Sequence, residues 1–284
     1  METTADGPKK TLLSKTSGEL QAGVARLRGD PAARPRLSII VPVNAQADLE
    51  NFSTLLVDLL QYWGEHPCEI IPIVNNYPTG STPPEIETLE GLGLKVIRLP
   101  DARRPGETVS FSARVPGVVE AASENTVHFD ADCRIPDVTA LLDYYVEQLE
   151  AGNMLAYTPV DFYDLPDDLL MRVRRAMHYT ARGLKRNFLK IPTPRGSNYA
   201  INRSLFLQLY ETGRLRDDIQ LGPNIKAMGC RHQYGASRQL TVLTSGRRIR
   251  RSWLRIFRYV YRRLLFNLRY LRDTEAARSV KKAS

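Results

Sequence analysis

The stretch TVHFDADCRIP (126–136) decides how the rest of the chain is read. A short β-branched and aromatic run ends abruptly in two carboxylates one residue apart, Asp130 and Asp132. In an extended or turning segment residues i and i+2 point to the same side, so the pair can offer hard oxygen ligands to one divalent cation. Mg2+ or Mn2+ suits such a site, because one or two carboxylates hold the ion and substrate phosphates complete its shell. An Asp-x-Asp by itself serves equally well as a solvated turn, or as the cap of a helix beginning at Asp137. Context separates the two.

Upstream, LSIIVPV (37–43) is a continuous apolar, β-branched run, as in a strand buried on both faces of a parallel sheet. Over 48–63, Leu49, Phe52, Leu55, Leu56, Leu59 and Leu60 recur at helical spacing, completing a βα unit. EIIPIV (69–74) and LKVIRLP (94–100) read as the next two strands, with a helical stretch ending at Gly91 between them. A helix opening on Pro116 then leads into TVHFD as the fourth strand. Downstream, the pattern predicts a helix over 137–152, a strand over MLAYTPV (154–160) and a long basic helix within 164–189. PRGSNYAINRSLF (194–206) reads as a turn, a short strand and a helix start. RDDIQLGPNIKAMG (216–229) puts an acidic pair at the head of a helix, and QLTVLT (239–244) is the last strand. This alternation predicts an α/β fold, a single Rossmann-like, mainly parallel sheet with helices on both faces. In such sheets ligands bind outside the carboxyl ends of the strands, where Asn44, Asn75, Asn76, Asp130 and Asp132 fall.

With 284 residues, 43% of them hydrophobic, the chain can bury one large core. We expect a catalytic domain over 36–246, a mostly mobile N-terminal tail over 1–35 with one short helix, and a basic C-terminal helix and tail over 247–284. The net charge of +9 suits an anionic partner. Its source is local, since 247–272 holds ten arginines and no acidic residue. Basic residues gathered on one segment, rather than interleaved across the domain, argue against nucleic acid as the partner. Within 252–272, Trp253, Ile256, Phe257, Val260, Leu264, Leu268 and Leu271 form a stripe at helical spacing with arginines on the remaining face. That is the pattern of a helix lying on an anionic membrane surface, and it would equally pack on the catalytic domain or on a second subunit of a homodimer. Three cysteines, with no C-x-x-C pair, support neither a disulfide framework nor a zinc site. No signal-peptide core or spanning run is visible. The expected location is cytoplasmic, peripheral to the inner face of the membrane.

In order and spacing, the pieces from about residue 37 to 232 resemble the family 2 glycosyltransferases of the GT-A fold. VPVN (41–44) resembles the motif ending that family's first strand, and Asn75 and Asn76 stand where two aspartates contact the nucleotide base. Ala113, Arg114 and Gly117 match its Ala-Arg-Asn-x-Gly segment, Asp130 and Asp132 its metal motif, and Gly196 to Asn198 its Gly-x-Asn. Asp218 and Leu221 match Glu-Asp-x-x-Leu, whose Asp is the catalytic base, with Asp217 in place of the Glu and one methylene shorter, and His232 falls where some relatives carry a further metal ligand. The resemblance implies a metal-dependent, inverting transferase that uses a nucleoside-diphosphate sugar. It assigns catalysis to Asp218 with Asp217 beside it, and the donor to Pro42, Asn44, Asn75, Asn76, Arg114, Asp130 and Ala131. It assigns the acceptor to Gly196, Ser197 and Asn198, and Mg2+ or Mn2+ to Asp130, Asp132 and His232. The asparagines at 75 and 76 keep hydrogen bonding but remove charge.

The residues themselves are consistent with that chemistry. A cation on the Asp130/Asp132 pair would neutralise a leaving diphosphate, Arg114 or Arg195 would grip a phosphate, and Asp218 would take the acceptor's proton. Trp63, Tyr144, Tyr145 and Tyr199 are candidates for stacking on sugar or base, although core packing is the commoner fate of such aromatics. A nucleotidyltransferase is the alternative enzyme, but it would want a glycine-rich phosphate loop where NAQADLEN (44–51) has no glycine. A non-catalytic nucleotide-sugar-binding protein is the alternative outside catalysis.

Overall fold

In β1 (Leu37–Asn44) every residue but the last is buried, and the side chains alternate between two cores: Ile39, Val41 and Val43 enter one, Ile40 the other. A strand that feeds both faces must be central. The computed structural model, which describes residues 17–30 and 32–247, places it there. β1 pairs in parallel with β2 (Cys68–Asn75) on one side and with β4 (Asn125–Phe129) on the other, and β2 carries the edge strand β3 (Ile97–Leu99). Beyond β4 lies β7 (Asn198–Asn202), antiparallel to both β4 and β5 (Leu155–Tyr157), and β8 (His232–Tyr234) closes the order β3-β2-β1-β4-β7-β5-β8. A separate ribbon pairs β6 (Val160–Phe162) with β9 (Val242–Thr244).

One face of the sheet is covered by α1 (Ser17–Arg28), α2 (Leu49–Leu59), α3 (Pro84–Gly91) and α5 (Val138–Glu150). The other is covered by α4 (Val109–Glu120), α7 (Arg203–Glu211) and α8 (Leu221–Met228). The long helix α6 (Leu169–Asn187) stands apart from both cores, with Leu169, Leu170, Val173, Met177 and Leu184 exposed. Among the described residues no helix is long and apolar enough to cross a membrane.

The short helix expected in the N-terminal stretch is α1, which buries Leu20, Val24 and Leu27 in the main core, as an apolar stripe at helical spacing does once a sheet face is present. Three expectations change. The helix expected to open at Pro116 begins at Val109 and runs through the proline. Its packing there is close enough that a Cβ on Gly117 would lie 2.7 Å from Ile73 and 2.9 Å from Ile40, and this contact outweighs the lost backbone bond. The run 154–160 is two strands in different sheets, because the chain leaves β5 at Thr158, whose hydroxyl donates to Leu240 O at 2.8 Å. Of 94–100, only 97–99 is strand. The amphipathic segment 252–272 lies outside the described residues.

Candidate functional site

The parallel strands β1, β2 and β4 end side by side, and the antiparallel β7 starts at that same edge, its Asn198 opposite Phe129. Asn44 Oδ1 accepts from Gln46 N at 2.9 Å and from Asn76 Nδ2 at 3.1 Å, which ties the two strand ends together. Asn76 sits at φ +62°, a left-handed conformation asparagine tolerates, and this turns it out of the strand while Asn75 stays buried.

Arg114, on α4, organises the centre. Its side chain is wholly buried; Nη1 donates to Asp218 Oδ2 at 2.8 Å, and Nη2 donates to Asp130 Oδ1 at 2.5 Å and to Gly196 O at 2.6 Å. Asp218, one step past the cap residue Asp217, also accepts from the Tyr199 hydroxyl at 2.8 Å. Tyr199 stacks on His128, its cross-strand partner, with centroids 4.5 Å apart. Burial pushes the Asp218 carboxyl above the usual range, with Asp130 and Asp217 adding to it, while Arg114 and Tyr199 pull it back. The same burial, reinforced by the Arg114 charge, holds His128 neutral. Glycine at 196 is a steric requirement: a Cβ there would lie 2.5 Å from Asp218 Oδ2.

At the end of β4 a second group gathers. Asp132 accepts from Thr244 Oγ1 at 3.0 Å and from Arg247 Nη2 at 2.9 Å, and Arg247 also reaches Asp48 at 3.8 Å. The carboxyls of Asp48 and Asp132 are both pushed up, first by burial and then by neighbouring carboxylates, Asp132 acting on Asp48 and Asp130 on Asp132. Mutually repelling oxygens at a strand end, with one arginine offsetting them, fit a hard divalent cation. Among the described residues no three His, Cys, Asp or Glu side chains form a complete cage, so Asp130 and Asp132 would share the ion with ligand oxygens.

Several expected site residues are employed otherwise. His232 cannot join that ion: the register sets it level with Leu155, Ile201 and Thr126, at the opposite end of the sheet from Asp130. That is about 13 Å along the strands and about 14 Å across them. Arg114 does not face a phosphate, being buried between carboxylates. Asn75 Nδ2 donates to the backbone carbonyls of Val43 and Ile73, and Asn198 is consumed in the core by Tyr145 and Thr158. Asp217 caps the short turn by accepting from Ile219 N at 3.0 Å. Pro42, Ala131 and Ser197 are buried, so only their backbones or neighbours can meet a ligand. Tyr145 and Tyr199 are core, and the exposed Trp63, past the end of α2, stacks with Arg26 of α1. Arg195 turns to Val160 O and the Phe162 ring.

Three participants escaped the sequence reading: Asp48, Arg247 and the hydroxyl of Tyr199. Asp48 carried a signal, an acid in the loop at the carboxyl end of a strand. The other two carried none, because the contacts that matter join segments more than a hundred residues apart or depend on strand register.

Among solved structures, the chain is similar to the mannosyltransferase of Pyrobaculum calidifontis in complex with GDP-Man and Mn2+. The identity is 16% and the TM-score 0.50, over 96% of this chain and 85% of that one. It is also similar to glucosyl-3-phosphoglycerate synthase from Mycobacterium tuberculosis in complex with UDP, at 17% identity and a TM-score of 0.50, over 90% of this chain and 84% of that one. The chain has the GT-A fold. No protein-family model and no curated protein matches its sequence. Within the GT-A fold, the crevice bounded by the ends of β1, β2 and β4 and the start of β7 is the place where the described carboxylates converge.

Proposed function

We propose that the protein is an inverting glycosyltransferase of the family 2 type, moving a sugar from a nucleoside diphosphate to an acceptor hydroxyl. One observation carries this: Asp218, 13% exposed, is fixed by Arg114 and Tyr199 one guanidinium away from Asp130. Each Asp218 oxygen spends a lone pair on those donors and keeps another for an incoming hydroxyl. Burial makes the carboxylate a stronger base than a solvated one, which is what a general base requires. Asp130 and Asp132 would hold Mg2+ or Mn2+, which when bound neutralises charge on the departing diphosphate. The leaving group then lies on the Asp130 side of Arg114 and the base on the other. That opposition is the arrangement direct displacement with inversion needs. The loop 44–48, with Asn44 and Asn76, would meet the donor. The GDP-Man, Mn2+ and UDP held by the two structural neighbours support a nucleoside-diphosphate donor.

The test compares Asp218→Asn with Asp132→Asn. Asp218→Asn keeps the shape and one acceptor oxygen for Arg114 but loses the charge and the basic lone pair, so donor affinity by calorimetry should stay near wild type while turnover falls about 10²- to 10⁴-fold. Asp132→Asn should lose metal-dependent nucleotide binding. Near-wild-type turnover in Asp218→Asn removes it as the base.

A further inference from the structure

The helix α6 is fixed to the domain by its polar side. Arg175 pairs with Asp161, and the Tyr179 hydroxyl donates to Val160 O at 2.9 Å and to Asp161 Oδ1 at 2.8 Å. Arg182 donates to Thr193 O, and Arg186 stacks 3.7 Å over the Tyr234 ring. These four residues recur at three and four positions, so they occupy one face of the helix, the face turned toward β6, β8 and the turn before β7. The opposite face carries Leu169, Val173, Met177 and Leu184, with Leu170 beside them and Phe188 at the C-cap. All six are exposed, Leu169 to 78% and Phe188 to 77%. A surface helix ordinarily turns its apolar stripe inward. Here the polar anchors hold the stripe outward, over a helix of 19 residues and about 28 Å.

Charge decides what can cover it. The helix holds five arginines, one lysine and no Asp or Glu. Two copies of the chain meeting through this face would set like charges together. So would the segment 252–272, with six arginines and no acidic residue. An anionic surface reverses the sign, and an apolar stripe accompanied by Arg and Lys is the composition of a helix lying in a membrane interface. The course of the chain leads to the same side. After β9, the Ser245 hydroxyl donates to Asp164 Oδ2 at 2.7 Å and Gly246 N to Asp164 Oδ1 at 2.5 Å, five residues before α6 begins. The chain therefore sets out toward 252–272 from beside the start of α6, and two basic amphipathic stretches share one origin.

We propose that the outward face of α6 is a docking surface for an anionic lipid bilayer. The apolar stripe enters the boundary between headgroups and acyl chains, and the basic residues of the helix draw it to lipid phosphates. Among the described residues no helix is long and apolar enough to cross a membrane, so the contact is with the surface. Docking through α6 sets the crevice near the bilayer, because Arg247, next to the Asp164 junction, pairs with Asp132. The proposal concerns where the domain sits, and does not depend on the glycosyltransferase reading.

The experiment floats the full chain with vesicles of phosphatidylcholine alone, and of equal parts phosphatidylcholine and phosphatidylglycerol. Wild type should bind the anionic vesicles far better than the neutral ones and come off as salt is raised. Met177→Glu and Leu184→Glu should each lower vesicle affinity about tenfold or more, the factor that burying one such side chain contributes. Both positions are exposed, so melting temperatures should not change. Val119→Glu, at a similarly exposed position on α4, adds the same charge elsewhere and should bind as wild type does. A second readout separates α6 from 252–272: an environment-sensitive fluorophore on Met177→Cys in a Cys230→Ser background, Cys68 and Cys133 being buried. Its emission should shift to the blue with anionic vesicles and be quenched by nitroxide-labelled lipid. Vesicle binding without that shift places the attachment elsewhere and overturns the proposal. So do failure of the wild type to bind, equal binding of the glutamate variants, and equal binding to neutral vesicles. Emission already blue-shifted before lipid is added overturns it as well, marking a second copy on the face if the shift grows with protein concentration and a segment of the same chain if it does not.

Discussion

Replacing Arg114 by methionine is the most informative single perturbation of the site. The substitution keeps length and apolar contact but leaves Asp218 and Asp130 facing each other without a counter-charge, and the Gly196 carbonyl without a donor. Breaking a buried ion pair by removing one partner costs about 3–5 kcal/mol. Against a total stability of about 5–15 kcal/mol that is a large fraction. For a domain of this size it lowers the melting temperature by about 6–20 °C. The loss must also depend on pH. Asp218 already titrates above its ordinary value because of burial, and without Arg114 it is pushed further up. A carboxyl whose folded pKa exceeds its unfolded value contributes its full stability below the unfolded pKa, about 3.9, and loses it as pH rises through the folded one. The deficit relative to wild type should therefore be greatest at pH 8 and shrink steadily toward pH 5. Urea titrations of both proteins across that range measure it directly. A deficit below about 1 kcal/mol, or one equal at pH 8 and pH 5, refutes the pairing logic. Adding Asp218→Asn to Arg114→Met should cost less than the sum of the two singles, because they share one interaction.

The remaining expectations are brief. Gly196→Ala puts a Cβ 2.5 Å from Asp218 Oδ2 and 3.4 Å from Arg114, so it should lower stability by about 1–3 kcal/mol and displace the base. Turnover at saturating donor should then fall more than donor affinity, and unchanged turnover would show that Asp218 is not poised as described. His232→Ala should leave the Mn2+ requirement for nucleotide binding unaltered, because that residue is exposed at the far end of the sheet; a raised Mn2+ requirement would return it to the ligand set.

Much of this architecture was legible in the chain because it rests on local pattern. LSIIVPV and EIIPIV are apolar without interruption, and only a strand covered on both faces tolerates that. The Gly-Ser-Asn turn before β7 and the acid pair before α8 could likewise be placed from their neighbours. What was not legible depends on packing between distant segments. Pro116 reads as a helix start until the contact of Gly117 with Ile40 and Ile73 is known. Arg114 reads as a phosphate ligand until its burial is known, since a guanidinium satisfies a carboxylate and a phosphate with the same fork. His232 lies at a plausible spacing in the chain, and only the register of β8 against β5 shows that it is at the other end of the sheet.

The Arg114 junction also has a consequence for how the protein comes into being. Its three partners lie 16, 82 and 104 residues further along the chain. During synthesis at about 5–20 residues per second, the guanidinium waits about 5–20 s between its own appearance and that of Asp218. Until then its Nη1 group lacks its carboxylate, and the second core lacks Leu221 and Ile225, so closure of that core is a late, non-local step. A nascent chain interrupted between Asp130 and Asp218 holds a guanidinium paired with only one of its two carboxylates. The same contacts that hold the carboxylates in position thus make the folded state a record that translation has passed the far side of the crevice.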